Sequence, residues 1–229
     1  MKKRPPWIKL PSAWIRDRGL RQFRWAEQGA DNTAALMTLT VIAHHIEPET
    51  GVAHLTYDEL MDMASLSRAK VSAGLSLLDA RGLIDRTPEG RSSYRLRGYD
   101  PASGWAKFPA KGLYRNGIVS AFTEFRLRRP AELEAMKLYY LFAAQRARET
   151  NMAMISYDKI EEYTDVTRNY IRRALTVLGA NDLVHVERFR SNLREDGVAN
   201  AYRLTHLESH RHMGTTGRSF HEFNLVEAE

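Results

Sequence analysis

A chain of 229 residues is long enough for one large domain or two small ones, and at 43% hydrophobic and 27% charged it can bury a real core. The absence of cysteine excludes disulfide scaffolds, thiolate metal sites and cysteine nucleophiles, and fits a reducing cytoplasm. The formal charge of +6 is unevenly placed: residues 1–25 hold eight basic side chains against Asp17 alone, which leaves 26 basic and 27 acidic residues elsewhere. A basic arm of this kind, with Lys2, Lys3 and Arg4 at its tip, is the usual footprint of a polyanion partner. No apolar run approaches the length of a membrane span, and no apolar stretch follows the first charges as a secretion signal would require. A cytoplasmic chain with no membrane partner is expected.

An internal repeat sets the architecture. Residues 35–84 align without a gap on residues 135–184, and 12 of the 50 pairs are identical, among them Tyr57/Tyr157, Asp58/Asp158, Arg68/Arg168 and Leu78/Leu178. The match extends upstream through Lys9/Lys107 and Pro11/Pro109, and downstream through Tyr94-Arg95-Leu96 and Tyr202-Arg203-Leu204. The second copy carries eight extra residues just before that last segment. The expected division is residues 1–98 as basic arm and first unit, 99–105 as linker, 106–207 as second unit and 208–229 as a polar tail.

Within each unit the elements follow in a fixed order. Ala35, Leu36, Leu39, Ile42, Ala43 and Ile46 recur at helical spacing, as do Met136, Tyr139, Phe142 and Ala143, so Tyr139, Tyr140 and Phe142 read as core. After a Pro48-Glu49-Thr50-Gly51 turn comes a short strand at Val52–Leu55, then Thr56-Tyr57-Asp58-Glu59, a capping box that starts a second helix. Ser156 caps its counterpart, where Lys159 in place of glutamate leaves half a box. A tight turn at Ser65-Leu66 leads into a third helix capped by Ser67, ended by Gly82 and, in the second copy, by Asn181-Asp182. Leu83-Ile84, a turn at Pro88 and Tyr94-Arg95-Leu96 form a β-hairpin. Helix, strand, helix, tight turn, helix, hairpin is the order of a winged helix-turn-helix, so the expected fold is mainly α with small β-hairpins, two tandem winged units.

Spacing selects the residues able to touch DNA. With Val71, Leu75 and Leu78 turned inward, Arg68, Ala69, Lys70, Ala73 and Ser76 face outward with Ser72 at the flank. The second copy presents Arg168, Asn169, Tyr170, Arg173 and Thr176 with Arg172 at the flank. Ser67 and Thr167 complete the two sets as helix caps. Arg68 and Arg168 stand in the first helical turn, where the positive helix end disfavours a cation unless phosphate offsets it. The second helix is the richer reader, since arginine suits guanine. The hairpins add Arg91 and Arg95 in the first copy, and Arg188, Arg190 and Arg194 in a lengthened second hairpin, as backbone contacts.

Catalysis is not expected. No phosphate-binding loop motif occurs, and His210-Arg211-His212 is better read as part of a polar tail than as a metal pair. His44 and His45 are adjacent on a helix and point about 100° apart, one of them partly buried. No cofactor or metal is expected.

The lead-in stretches Ile8-Lys9-Leu10-Pro11 and Ala106-Lys107-Phe108-Pro109, with Leu138-Tyr139-Tyr140-Leu141, Ile155-Ser156-Tyr157-Asp158-Lys159-Ile160 and Ala199-Asn200-Ala201-Tyr202-Arg203-Leu204, resemble the tandem winged-helix replication initiators of plasmids and related mobile elements. That resemblance spans most of residues 7–207 and implies binding to origin repeats on double-stranded DNA, host replication proteins as partners, and autoregulation. The alternative is a transcription regulator with the same tandem winged-helix DNA binding, and the second alternative a winged-helix protein-docking scaffold; self-association stays open. Two unlike recognition helices in one chain imply two unlike half-sites, roughly 10 bp or a multiple apart, a non-palindromic site of the kind that directly repeated origin elements provide.

Overall fold

The computed structural model describes residues 4–86, 89–148, 150–190 and 198–207, with the backbone alone at 189, 190, 198 and 199. The chain is a mixed α/β protein in which helices pack beside small antiparallel sheets. The first copy runs β1 (Trp7–Pro11), α1 (Ala13–Arg16), a 3-10 turn at Gly19–Gln22, α2 (Trp25–His44), β2 (Val52–His54), α3 (Tyr57–Ala64), α4 (Arg68–Ala80), β3 (Ile84–Arg86) and β4 (Ser93–Leu96). The second runs β5 (Trp105–Pro109), β6 (Tyr114–Arg115), β7 (Ile118–Val119), α5 (Pro130–Gln145), β8 (Met152–Met154), α6 (Tyr157–Thr164), α7 (Arg168–Ala180), β9 (Val184–Arg190) and β10 (Val198–Leu204). Strand, second helix and third helix begin and end at matching residues in the two copies, 100 positions apart.

Local chemistry accounts for those boundaries. Thr56 Oγ1 accepts from the Glu59 amide at 3.2 Å and Glu59 Oε2 accepts from the Thr56 amide at 2.8 Å, a complete capping box. Ser156 accepts from the Lys159 amide at 3.2 Å, while the Lys159 ammonium turns to Glu162. Ser65 (φ 54°) and Asp165 (φ 63°) take the left-handed conformation that stops α3 and α6 and makes the tight turn into α4 and α7. Gly82 (φ 66°) and Asp182 (φ 52°) do the same after α4 and α7. The hairpins gain a third strand, the sheet orders being β2-β4-β3 and β8-β10-β9. The second hairpin is longer, with strands of seven residues each.

The long helices depart most from the expected pattern. α2 starts at Trp25, ten residues before the apolar stripe read from sequence, with a kink at Gln28, and it ends before Ile46, which instead bridges Ala53. Residues 32–44 of α2 and 135–144 of α5 are all buried. A helix enclosed on every side has no polar face to mark its period or its ends.

Equivalent residues of the two copies meet at the centre of the molecule. β1 pairs antiparallel with β5 in a register that sets Lys9 opposite Lys107. Trp7 stacks on Trp105 at 5.9 Å, and each lysine lies over the tryptophan of the other copy, both at 5.0 Å. The 3-10 turn of the first copy packs on α6, and β7 of the second copy packs on α3. Such reciprocal contacts define an approximate two-fold axis inside one chain, as in an isologous dimer. One apolar core runs through both copies. The stretch 99–105, expected as a linker, is pinned to the body: Tyr99 donates to the Pro48 carbonyl at 2.9 Å, the Ser12 amide donates to Gly104 at 3.0 Å, and Trp105 already belongs to β5. Among the described residues no helix is long and apolar enough to cross a membrane.

Candidate nucleic-acid interface

α7 buries Ile171, Ala174 and Leu178, half-buries Leu175 and Val177 against the core, and turns its other early residues outward. Thr167, Arg168, Asn169, Tyr170, Arg172, Arg173 and Thr176 are all exposed, so the seven residues singled out from spacing share one accessible face. Tyr170 is the large hydrophobic side chain most open to solvent among the described residues, at 40%, and the Arg173 guanidinium lies 5.5 Å from its ring. Among the described residues neither Arg172 nor Arg173 forms an ion pair. Two cations, an amide, a hydroxyl and an aromatic ring therefore stand together on one helical surface. This is the combination that reads base edges and phosphates.

α4 is built the same way and carries far less. Val71, Gly74, Leu75 and Leu78 face inward, and Ser67, Arg68, Ala69 and Ser72 are exposed, whereas Ala73 is half-buried. Lys70, expected to face a partner, lies half-buried with its ammonium 2.7 Å from Asp31 of α2. Its charge is spent within the protein. Ser67 caps α4 through the Lys70 amide at 3.4 Å, while Thr167 starts α7 without a side-chain cap bond.

The first-turn arginines have anions of their own. Arg168 donates to Asp158 at 2.8 Å, which raises its guanidinium above the ordinary value, and Arg68 approaches Asp58 at 3.5 Å. Each arginine also lies over a tyrosine, Tyr157 at 5.8 Å and Tyr57 at 5.0 Å. The offset that sequence reasoning assigned to phosphate is supplied here by a carboxylate on the preceding helix. These partners were missed, although the identity of Tyr57/Tyr157 and Asp58/Asp158 in both copies was the available signal.

The hairpins contribute unevenly. Arg91 and Arg188 are exposed, but Arg95 pairs with Glu89 at 3.3 Å. Arg194 and the side chain of Arg190 lie outside the described residues, as does residues 208–229 with His210 and His212.

The basic arm differs most from expectation. Lys2 and Lys3 lie outside the described residues. Arg4 is folded onto the body, its guanidinium 3.4 Å above the Tyr114 ring and its Nη2 donating to His45 Nε2 at 2.9 Å. Arg18 pairs with Glu162, and Arg21 with Asp165 at 3.3 Å. Arg18 and Arg21, counted as part of an open arm, thus fasten the first copy to Glu162 of α6 and to Asp165 just after it.

No known protein-family model matches the chain, and no curated protein matches it. The geometry of α4 and α7 is what a functional reading has to rest on.

Proposed function

We propose that the protein is a non-enzymatic, sequence-specific binder of double-stranded DNA, built from two winged helix-turn-helix units and acting as a replication initiator of a plasmid or integrative element. The observation that carries this reading is the outer face of α7, where Asn169, Tyr170, Arg172, Arg173 and Thr176 stand exposed on a short rod suited to the major groove. The order of elements in each copy, with a hairpin after the third helix that pairs with the strand ahead of the second, supports the winged-helix assignment.

The approximate two-fold axis favours opposed half-sites over the non-palindromic, directly repeated ones expected from sequence. It relates α4 to α7 as two subunits of a dimer are related, so the two half-sites run in opposite directions. Their sequences remain unlike because the exposed residues differ. The site is then an imperfect inverted repeat read by a single chain. α7 supplies most of the base readout, and α4, with Lys70 held by Asp31, supplies a lighter contact.

Binding to random and selected duplex across a salt series tests this reading. The slope of log K against log salt should be about −0.9 per phosphate neutralised, and a slope near zero would point to a protein-docking scaffold instead. Arg173→Ala should cost roughly 1–3 kcal/mol on the selected site and relax base preference. Mapping the bound genomic locus and asking whether it sustains replication separates an initiator, with host replication proteins as partners, from a transcription regulator.

A further inference from the structure

The two copies of the unit have diverged over most of the face that α4 and α7 present. Ala69 stands against Asn169, Lys70 against Tyr170, Ser72 against Arg172, Ala73 against Arg173 and Ser76 against Thr176. Arg68/Arg168 on that face, and Tyr57/Tyr157 and Asp58/Asp158 beside it, are unchanged. They are also joined alike in space. In each copy the arginine at the start of the third helix pairs with the aspartate near the start of the second and lies over the neighbouring tyrosine ring.

Folding accounts for part of this retention, since Tyr57 and Tyr157 pack against the core and Asp58 and Asp158 complement the first turns of α3 and α6, but it does not call for the arginine pairs. Both pairs are open to solvent, with Asp58 and Asp158 exposed by 83% and 79%, and exposed ion pairs contribute little to stability. The N-termini of α3 and α6 already have Thr56 and Ser156 as caps. Affinity for a polyanion does not account for it either, because a carboxylate at such a surface repels phosphate. What the aspartate does is hold one edge of a guanidinium beside the tyrosine ring. That leaves the remaining donors of a rigid fork pointing one way, with less rotamer freedom to lose on binding.

Resting on the DNA-binding reading above, we infer that Tyr57-Asp58-Arg68 and Tyr157-Asp158-Arg168 form a duplicated clamp that aims one arginine in each half of the chain at a guanine. The two otherwise unlike half-sites then share a G·C pair at positions related by the pseudo-dyad. The arginines make the bidentate contact to guanine O6 and N7, and the aspartates are positioning residues.

Selection of bound sequences from a randomised duplex pool by the full chain and by Asp58→Asn, Asp158→Asn and Arg168→Lys tests the clamp, together with the affinity of each for the unselected pool. The wild type should select G·C in both halves. Asp158→Asn and Arg168→Lys should each lose about tenfold in preference at one of those positions, and Asp58→Asn at the other. Both aspartate variants should hold the unselected pool at least as tightly as the wild type, since a negative charge is gone, and Arg168→Lys should hold it about equally. A wild-type site lacking the matched G·C pairs, or variants that select the wild-type site unchanged or lose preference evenly along it, would overturn the clamp and leave DNA binding standing. A wild type that selects no sequence overturns both.

Discussion

Thr40 and Tyr140 occupy the same position of the duplicated unit, and their hydroxyl oxygens meet at 2.8 Å where α2 crosses α5. Both also reach the Leu36 carbonyl, Thr40 at 2.9 Å and Tyr140 at 3.0 Å. Two hydroxyl protons serve these three contacts, so one hydroxyl donates to the carbonyl and the other donates to its neighbour. The pair ties the copies together at a point from which water is excluded. Tyr140→Phe should cost about 1 kcal/mol, because Thr40 can still donate to Leu36, and Thr40→Val should cost a similar amount. The double variant should lose less than the sum. Urea unfolding checks this, and fluorescence and circular dichroism should give one coincident transition, since a single core spans both copies.

Gly74 and Ala174 are also equivalent positions, both buried. A Cβ on Gly74 would lie 3.1 Å from the backbone Cα and N of Ala35 and 3.2 Å from the Ala34 carbonyl carbon. Close approach of α4 to α2 excludes the methyl that α7 carries at Ala174. Helix propensity alone favours Gly74→Ala by about 1 kcal/mol, whereas overpacking against a helix backbone costs about 1–3 kcal/mol. The variant should therefore be destabilised by about 1 kcal/mol in thermal or urea unfolding.

The parts of the fold legible in sequence were those with an exposed side. Caps at Thr56 and Ser156, the turn at Ser65 and the inward stripe of α4 are local signals, and they fix α3, α4, α6 and α7 nearly to the residue. The start of α2 was not legible, because Arg24 ahead of it makes no side-chain cap and the helix is kinked at Gln28, while the buried stretch 32–44 that follows offers no alternation to read. Nor was the use of the basic arm: Arg18 and Arg21 each find their acid 144 residues away, a pairing no local pattern carries. The same limit applied at the interface. The outward face of α7 followed from its 100° spacing, whereas the capture of Lys70 by Asp31 depends on how α4 lies against α2.

His44 is buried and bridges the copies. Its Nε2 lies 2.9 Å from the Pro109 carbonyl, which can only accept, so Nε2 carries the proton and Nδ1 accepts from the Tyr114 hydroxyl at 2.9 Å. Burial, with the charges of His45 and Arg4 acting in the same direction, lowers its pKa from the ordinary 6.5 to about 3. An unfolded chain takes up the proton below pH 6.5 while the folded chain refuses it. The stabilising effect is thus complete above pH 6.5 and falls away as pH drops towards 3, by about 5 kcal/mol at the lower limit. His44→Gln keeps a donor and an acceptor but does not titrate, so its stability should vary less than that of the wild type between pH 6.5 and 4. Urea midpoints across that range measure the difference. Nitrogen chemical shifts should report a neutral ring protonated on Nε2 at pH 5.

Lys70 and Arg172 carry the same formal charge on equivalent faces but should behave differently towards DNA. The Lys70 ammonium is matched by Asp31 at 2.7 Å in a half-buried setting, so no counterion is released when a duplex approaches it. Arg172 is exposed and forms no ion pair among the described residues. Arg172→Ala should weaken binding to selected and random duplex alike and reduce the magnitude of the log K against log salt slope by about 1, the signature of one lost phosphate contact. Lys70→Ala should leave that slope unchanged. A reduced slope for Lys70→Ala would mean that its ion pair with Asp31 opens on binding and that α4 grips the backbone as firmly as α7 does.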